Sequence, residues 1–230
     1  MRKILLVTIA IVICAAGLIT FSQSDEKKAV YKPSHPVRNI PELAADAKSK
    51  GIAEIIAPPA IIEYPTMPSA DVLFSRFTVA AVQVRTIQPH YEGKYQVQIV
   101  SDVTLNILQV LSSKENQRES ANVPMPSSIT VTVHGGTILE NEVKVTQRSR
   151  FPVLMPNQNF IVILDSRLVD DKSRYYLPFG PDSIIALDSD NKLQSSPWIH
   201  SEVLKKFLEE NSISSLSDFQ VKVQAARRSQ

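Results

Sequence analysis

Four histidines, one cysteine and a few acidic pairs are the side chains of this chain with the most chemistry to offer. His35, His90, His134 and His200 stand too far apart along the sequence to pair with one another, or with Cys14, at metal-ligand spacing. A structural or catalytic zinc needs several such donors preorganised together, so no zinc site is expected. His134 closes a strand-like run at Gly135-Gly136. Strand parity places it with Thr130 and Thr132 on a polar face, where an ordinary exposed histidine is expected rather than a base or a ligand. Gly135-Gly136 reads as a hairpin turn, because a phosphate cradle would require a helix start directly after it.

Nucleophilic chemistry fares no better. A sortase-like transpeptidase needs a cysteine in its exported domain, and Cys14 lies inside an apolar run. A signal-peptidase-like enzyme pairs a serine near a membrane anchor with a strand-borne lysine. Thr66-Met67-Pro68-Ser69 has a threonine where that serine would stand, which favours the end of a proline-rich stretch. Asp188-Ser189-Asp190-Asn191 has the alternating oxygens of a calcium loop but lacks the glycine and distal glutamate of an EF-hand, and it reads as a polar turn, as does Asp170-Asp171. No catalytic, cofactor-binding or metal-binding residue is assigned on this basis, and no cofactor is expected.

The elements that must position these residues begin with an apolar run. Ile4 to Phe21 contains no charge and follows Arg2 and Lys3. Eighteen helical residues span roughly 27 Å, close to the ~30 Å hydrocarbon core of a bilayer. Residues 1–28 are therefore expected to be a membrane anchor helix or a signal peptide, with residues 4–21 as the membrane contact. The basic pair before the run holds that end in the cytoplasm and sends residues 22–230 outside. Arg2 and Lys3 are two of 25 basic side chains, and the rest balance the 23 acidic ones. A neutral body lacks the surplus positive charge that drives nucleic-acid binding, so no nucleic-acid partner is expected.

Residues 29–69 hold seven of the fifteen prolines and are expected to form a semi-rigid spacer. One short helix should interrupt it, with Pro41 in its first turn, Glu42 near its positive end and Gly51 beyond its last turn. Ile55-Ile56 and Ile61-Ile62 are more apolar than a spacer needs and should dock on the neighbouring domain. Residues 70–195 are expected to be that domain, a β-barrel. Phe77 and Val79, then Val82 and Val84, alternate with polar neighbours across a one-residue slip at Ala80-Ala81 that a bulge explains. Tyr95, Val97, Ile99, Val103, Leu105 and Ile107 keep one face of a long strand. Further strands are expected at Ile129–His134, Val143–Gln147, Phe160–Leu164, Tyr175–Leu177 and Ile184–Leu187, the third buried on both faces because it has no polar alternation.

Residues 196–230 should be a helical cap. Ile199, Val203, Leu204, Phe207 and Leu208 form one apolar stripe, and Leu216, Phe219, Val223 and Ala226 a second behind a Ser215/Asp218 start signal. Should these stripes not pack on the barrel, they would be a protein-binding surface.

The fold class expected is therefore mainly β: a small antiparallel barrel, OB-like, or a sandwich, after an N-terminal apolar helix and before two C-terminal helices. Ala70 to Phe74, Ser128 to Thr137 and Phe151-Pro152 through Leu164 resemble a loose group of exported bacterial proteins with a small OB-like or TIMP-like β-barrel domain. The resemblance runs from about Ala70 to Leu193 and implies such a barrel without catalytic residues to carry over. The function expected is that of an exported, membrane-tethered or secreted, non-enzymatic binding or structural module. An extracytoplasmic enzyme of the hydrolase or peptidase class is the alternative.

Overall fold

A computed structural model describes residues 29–112, 125–169, 174–194 and 202–228. The apolar run at residues 4–21, Asp170-Asp171, Trp198, Ile199 and His200 lie outside them, and no helix among the described residues is long and apolar enough to cross a membrane. The fold is mainly β, built on two sheets with four helices.

The larger sheet is a circuit of pairings. β2 (Thr78–Glu92) runs antiparallel to β3 (Gln98–Ser112), and β3 antiparallel to β4 (Ser128–His134). β4 pairs in parallel with β8 (Arg174–Tyr176), β8 antiparallel with β7 (Asn159–Val169), and β7 returns to β2. β9 (Ile184–Ala186) adds to the other edge of β7. The bulge expected at Ala80-Ala81 is not there: β2 pairs with β7 in unbroken register from Thr78 to Gln83, and the β2–β3 shifts beside those alanines skip Leu111 and Leu108 of β3. Val79 joins one apolar cluster and Ala80, Val82 and Val84 another, so the apparent slip reflects a strand buried on both faces. Phe160 to Leu164 are buried on both faces, with Phe160, Val162 and Leu164 in one apolar cluster and Ile161 and Ile163 in another. An unbroken apolar run is what such a doubly covered strand requires.

The second of those clusters is covered by helices. α2 (Ala70–Arg76) buries Leu73 and Phe74, α3 (Glu202–Glu210) buries Leu204, Phe207 and Leu208, and α4 (Leu216–Arg228) buries Phe219, Val223 and Ala226. The Phe74 and Phe219 rings meet edge-on at 6.2 Å. Of the described residues of the two expected C-terminal stripes, Leu204, Phe207, Leu208, Phe219, Val223 and Ala226 are buried in this core and Leu216 packs against it, whereas Val203 is exposed. The stretch from Ala70 does not open as a strand. Asp71 in the first turn and Arg76 in the last suit the helix dipole, and Leu73-Phe74 turn inward.

Residues 29–69 are not a free spacer. α1 (Ile40–Ser49) forms where its signals lie, the Asn39 side chain accepting the Glu42 N–H at 2.9 Å. The chain then enters β1 (Glu54–Ala57), which pairs in parallel with β6 (Val143–Gln147). β6 pairs antiparallel with β5 (Gly136–Glu140), completing a three-stranded sheet under α1. Ile40, Leu43, Ala44 and Ala47 of α1 share one core with Ile55, Ala57, Val143, Val145 and Ile99. Proline density excludes long regular elements but leaves room for four residues of strand. Ile55 and Ile56 are buried as expected, whereas Ile61 is exposed.

Two other expectations change. Gly135-Gly136 is not a hairpin turn: β4 and β5 belong to different sheets, and the glycines carry the chain between them. The hairpin turn is Asn141-Glu142, with φ of 50° and 68°. Tyr95 and Val97 do not continue the inward face of β3; they are exposed in the β2–β3 loop, Tyr95 at 75%.

Candidate functional site

The polar face of β2, β3, β4 and β8 brings together two of the histidines that the sequence singles out, His90 and His134. Gln88, Asp102 and Thr132 lie opposite one another in the register, as do His90, Val100 and His134, and opposed residues share a face. Arg174 joins from β8 opposite Thr130. The Asp102 carboxylate accepts the Thr132 hydroxyl at 2.7 Å and lies 3.3 Å from Arg174 Nη1. His90 Nε2 stands 3.9 Å from its other oxygen. Arg174 compensates the Asp102 charge from two strands away, and the row of polar side chains spans four strands.

His134 belongs to the same face, but it is not the ordinary exposed histidine expected there. Its side chain is only 25% exposed, and its Nδ1 is buried without a hydrogen-bond partner. Glu92 Oε2 stands 3.7 Å from Nδ1, an electrostatic neighbour beyond hydrogen-bond reach. Burial pulls the imidazole pKa below its usual value, and the Glu92 charge opposes that only in part. The Glu92 carboxylate also acts on Tyr64, whose hydroxyl is pushed up to about 12, first by burial and then by that charge, against a smaller opposing effect of Arg150.

The only described place where a serine, a histidine and an aspartate converge is beside α1. Asp46, with its side chain 2% exposed, accepts the Ser34 hydroxyl at 2.6 Å, the Tyr31 hydroxyl at 2.7 Å and the Lys50 ammonium at 2.8 Å. The Ser34 N–H reaches the same carboxylate at 3.2 Å. His35 Nδ1 lies 3.4 Å from both Ser34 Oγ and Asp46 Oδ1. A triad needs one ring nitrogen on the serine and the other on the carboxylate. Here the same nitrogen faces both, and the serine hydroxyl donates to the carboxylate directly. The arrangement ties residues 31–35 to α1. Lys50, then the Ser34 and Tyr31 hydroxyls, hold the Asp46 carboxyl well below the ordinary range.

A third feature is a groove of about 460 Å³ lined by Pro89, His90 and Tyr91 of β2 and Thr137 to Glu140 of β5. The Tyr91 hydroxyl donates to Glu140 at 2.7 Å across one end of it, and burial first, then this bond and the Glu140 charge, raise the tyrosine pKa.

Among the remaining candidates, Met67 is buried under the helices and Ser69 precedes α2 without a side-chain capping bond. Asp188 Oδ1 accepts the Asp190 and Lys192 N–H groups at 2.8 and 2.9 Å, the polar turn expected of that loop. The described residues contain no group of three or more acidic, histidine or cysteine side chains that could hold a metal ion. Reading the sequence alone misses the Asp46 network, although an aspartate four residues before a lysine on a helix was a visible signal. It also misses the approach of Glu92 to His134, which exists only once β3 is laid between their strands. Comparison with protein-family models, with curated proteins and with solved structures finds no match to this chain.

Proposed function

We propose that the chain is an exported module, membrane-tethered or secreted, whose β domain is an OB-like barrel that binds a partner rather than catalysing a reaction. The observation that carries the reading is the pairing circuit β2–β3–β4–β8–β7–β2, with β4 and β8 parallel. Five strands joined in that order have the Greek-key character of an OB barrel, a fold that binds through the outer face of its second and third strands. In this chain those strands are β3 and β4, which carry Asp102, Thr132 and His134. Export rests on the uncharged run from Ile4 to Phe21 behind Arg2 and Lys3. The neutral body and the mutual pairing of Asp102, Arg174 and His90 favour a protein or a small polar ligand over a polynucleotide.

One observation favours the extracytoplasmic hydrolase or peptidase as a second reading. His134 keeps a buried, unpartnered nitrogen close to a carboxylate, and catalytic hydrogen bonds are often long in the absence of substrate. The purified full chain assayed against a panel of peptide, ester and glycoside substrates separates the two. The module reading expects no turnover that His134→Ala removes; reproducible turnover lost in that variant overturns it.

A further inference from the structure

β5 is a terminal strand of its sheet, and its exposed edge is built differently from the other edge beside it. The turn Asn141-Glu142 makes a two-residue hairpin, so Glu140 and Val143 form the hydrogen-bonded pair that closes it. Alternation along an antiparallel ladder then gives Ile138 and Gly136 the bonds to β6 and turns the N–H and C=O groups of Thr137 and Leu139 outward. Among the described residues no strand pairs with that side of β5. Natural sheets guard such an edge with proline, lysine or a cover. β2, which forms the opposite wall of the groove, carries Pro89 in the stretch that pairs with β3 but not with β7; β5 reads Gly-Thr-Ile-Leu-Glu and carries neither proline nor lysine. It presents instead Leu139, which is 76% exposed.

The charge at this edge selects the occupant. Glu140 accepts a hydroxyl from Tyr91 and has no cationic partner among the described residues, and Glu92 follows Tyr91 at the same end of β2. We infer that the β5 edge is a docking site for an extended segment of a partner protein that adds as a strand, places an apolar side chain beside Leu139 and sets a lysine or arginine against Glu140. Main-chain bonds to Thr137 and Leu139 supply the pairing, and the groove floor and Glu140 supply the selectivity. This deepens the binding-module reading, on which it rests, by naming a partner class and a second surface on the side of the molecule formed by the small sheet.

A randomised decapeptide library displayed against the full chain in detergent micelles tests it. Enrichment of sequences that alternate β-formers with lysine or arginine is expected. Leu139→Pro removes one outward N–H without touching the β6 ladder, and Glu140→Gln removes the charge; each should weaken binding of an enriched peptide by about tenfold or more. The Gln variant keeps the side-chain shape, so it remains informative if the proline variant folds poorly. No enrichment over an unrelated control protein, binding unchanged in Glu140→Gln, or concentration-dependent dimers of the chain that bury β5 would overturn the proposal. Turnover by the purified chain that His134→Ala abolishes would remove the module reading itself, whereas peptides bound elsewhere would remove only this site.

Discussion

At the scale of single residues, three positions make predictions that do not depend on any partner. Asp46 is held below the ordinary carboxylate range by Lys50, Ser34 and Tyr31, against an unfolded value near ~3.9. A carboxyl depressed in the folded state contributes stability that is complete above the unfolded pKa and is lost as pH falls through the folded one. Asp46→Asn should therefore lower the melting temperature at pH 7 and flatten the loss of stability below about pH 4, as read by thermal melts at several pH values. His134 has the opposite chemistry and the same direction with pH. Its imidazole is depressed by burial, so protonation favours the unfolded chain below ~6.5, and His134→Gln should remove a stability loss between that value and the folded pKa. The glycines at the sheet-to-sheet crossing are the other test. Gly136 has φ of +143°, and a Cβ there would come within 2.6 Å of Ser101 Oγ. Gly136→Ala should cost about 1–3 kcal/mol from the backbone alone, before any displacement of Ser101, in a denaturant titration.

At the scale of elements, the decisive case is β1. Ile55 is buried in the core that α1 shares with β6, so Ile55→Ala should destabilise by about 2–5 kcal/mol in chemical denaturation. A free spacer would show no change. This is also where sequence reading reached its limit. The strands β2, β3, β4, β6 and β7 were legible because period-two alternation, or an unbroken apolar run, leaves a local signature. β1 was not, because Glu-Ile-Ile-Ala is four residues beside two prolines, and its partner β6 lies some ninety positions later. A parallel pairing of that separation has no local trace. β5 was hidden by Gly135-Gly136, a pair whose composition suits a turn as well as it suits the positive-φ crossing it forms. α1 was legible because its first-turn proline, the acidic Glu42 beside it and the glycine beyond its end are all local signals. Strand parity placed His134 on the polar face but not its burial or the approach of Glu92, which reaches it across an intervening strand.

At the scale of the whole molecule, the C-terminal helices and the larger sheet share one apolar core. Phe219 is fully buried against Phe74, and Phe219→Ala should cost about 3–5 kcal/mol, enough to halve the margin of a typical domain. Loss of α3 and α4 should unfold the sheet rather than expose a stable barrel, which circular dichroism on a chain ending at Gln194 would reveal. The proposed role adds one requirement to this architecture, that the whole of it faces the extracytoplasmic side. A neutral body with Arg2 and Lys3 before the apolar run carries that requirement. The most direct measurement is a pair of reporters fused after Gln230, one active only outside the cytoplasm and one active only within it. The account predicts activity from the first and silence from the second; the reverse pattern would contradict export and, with it, the exported module proposed for this chain.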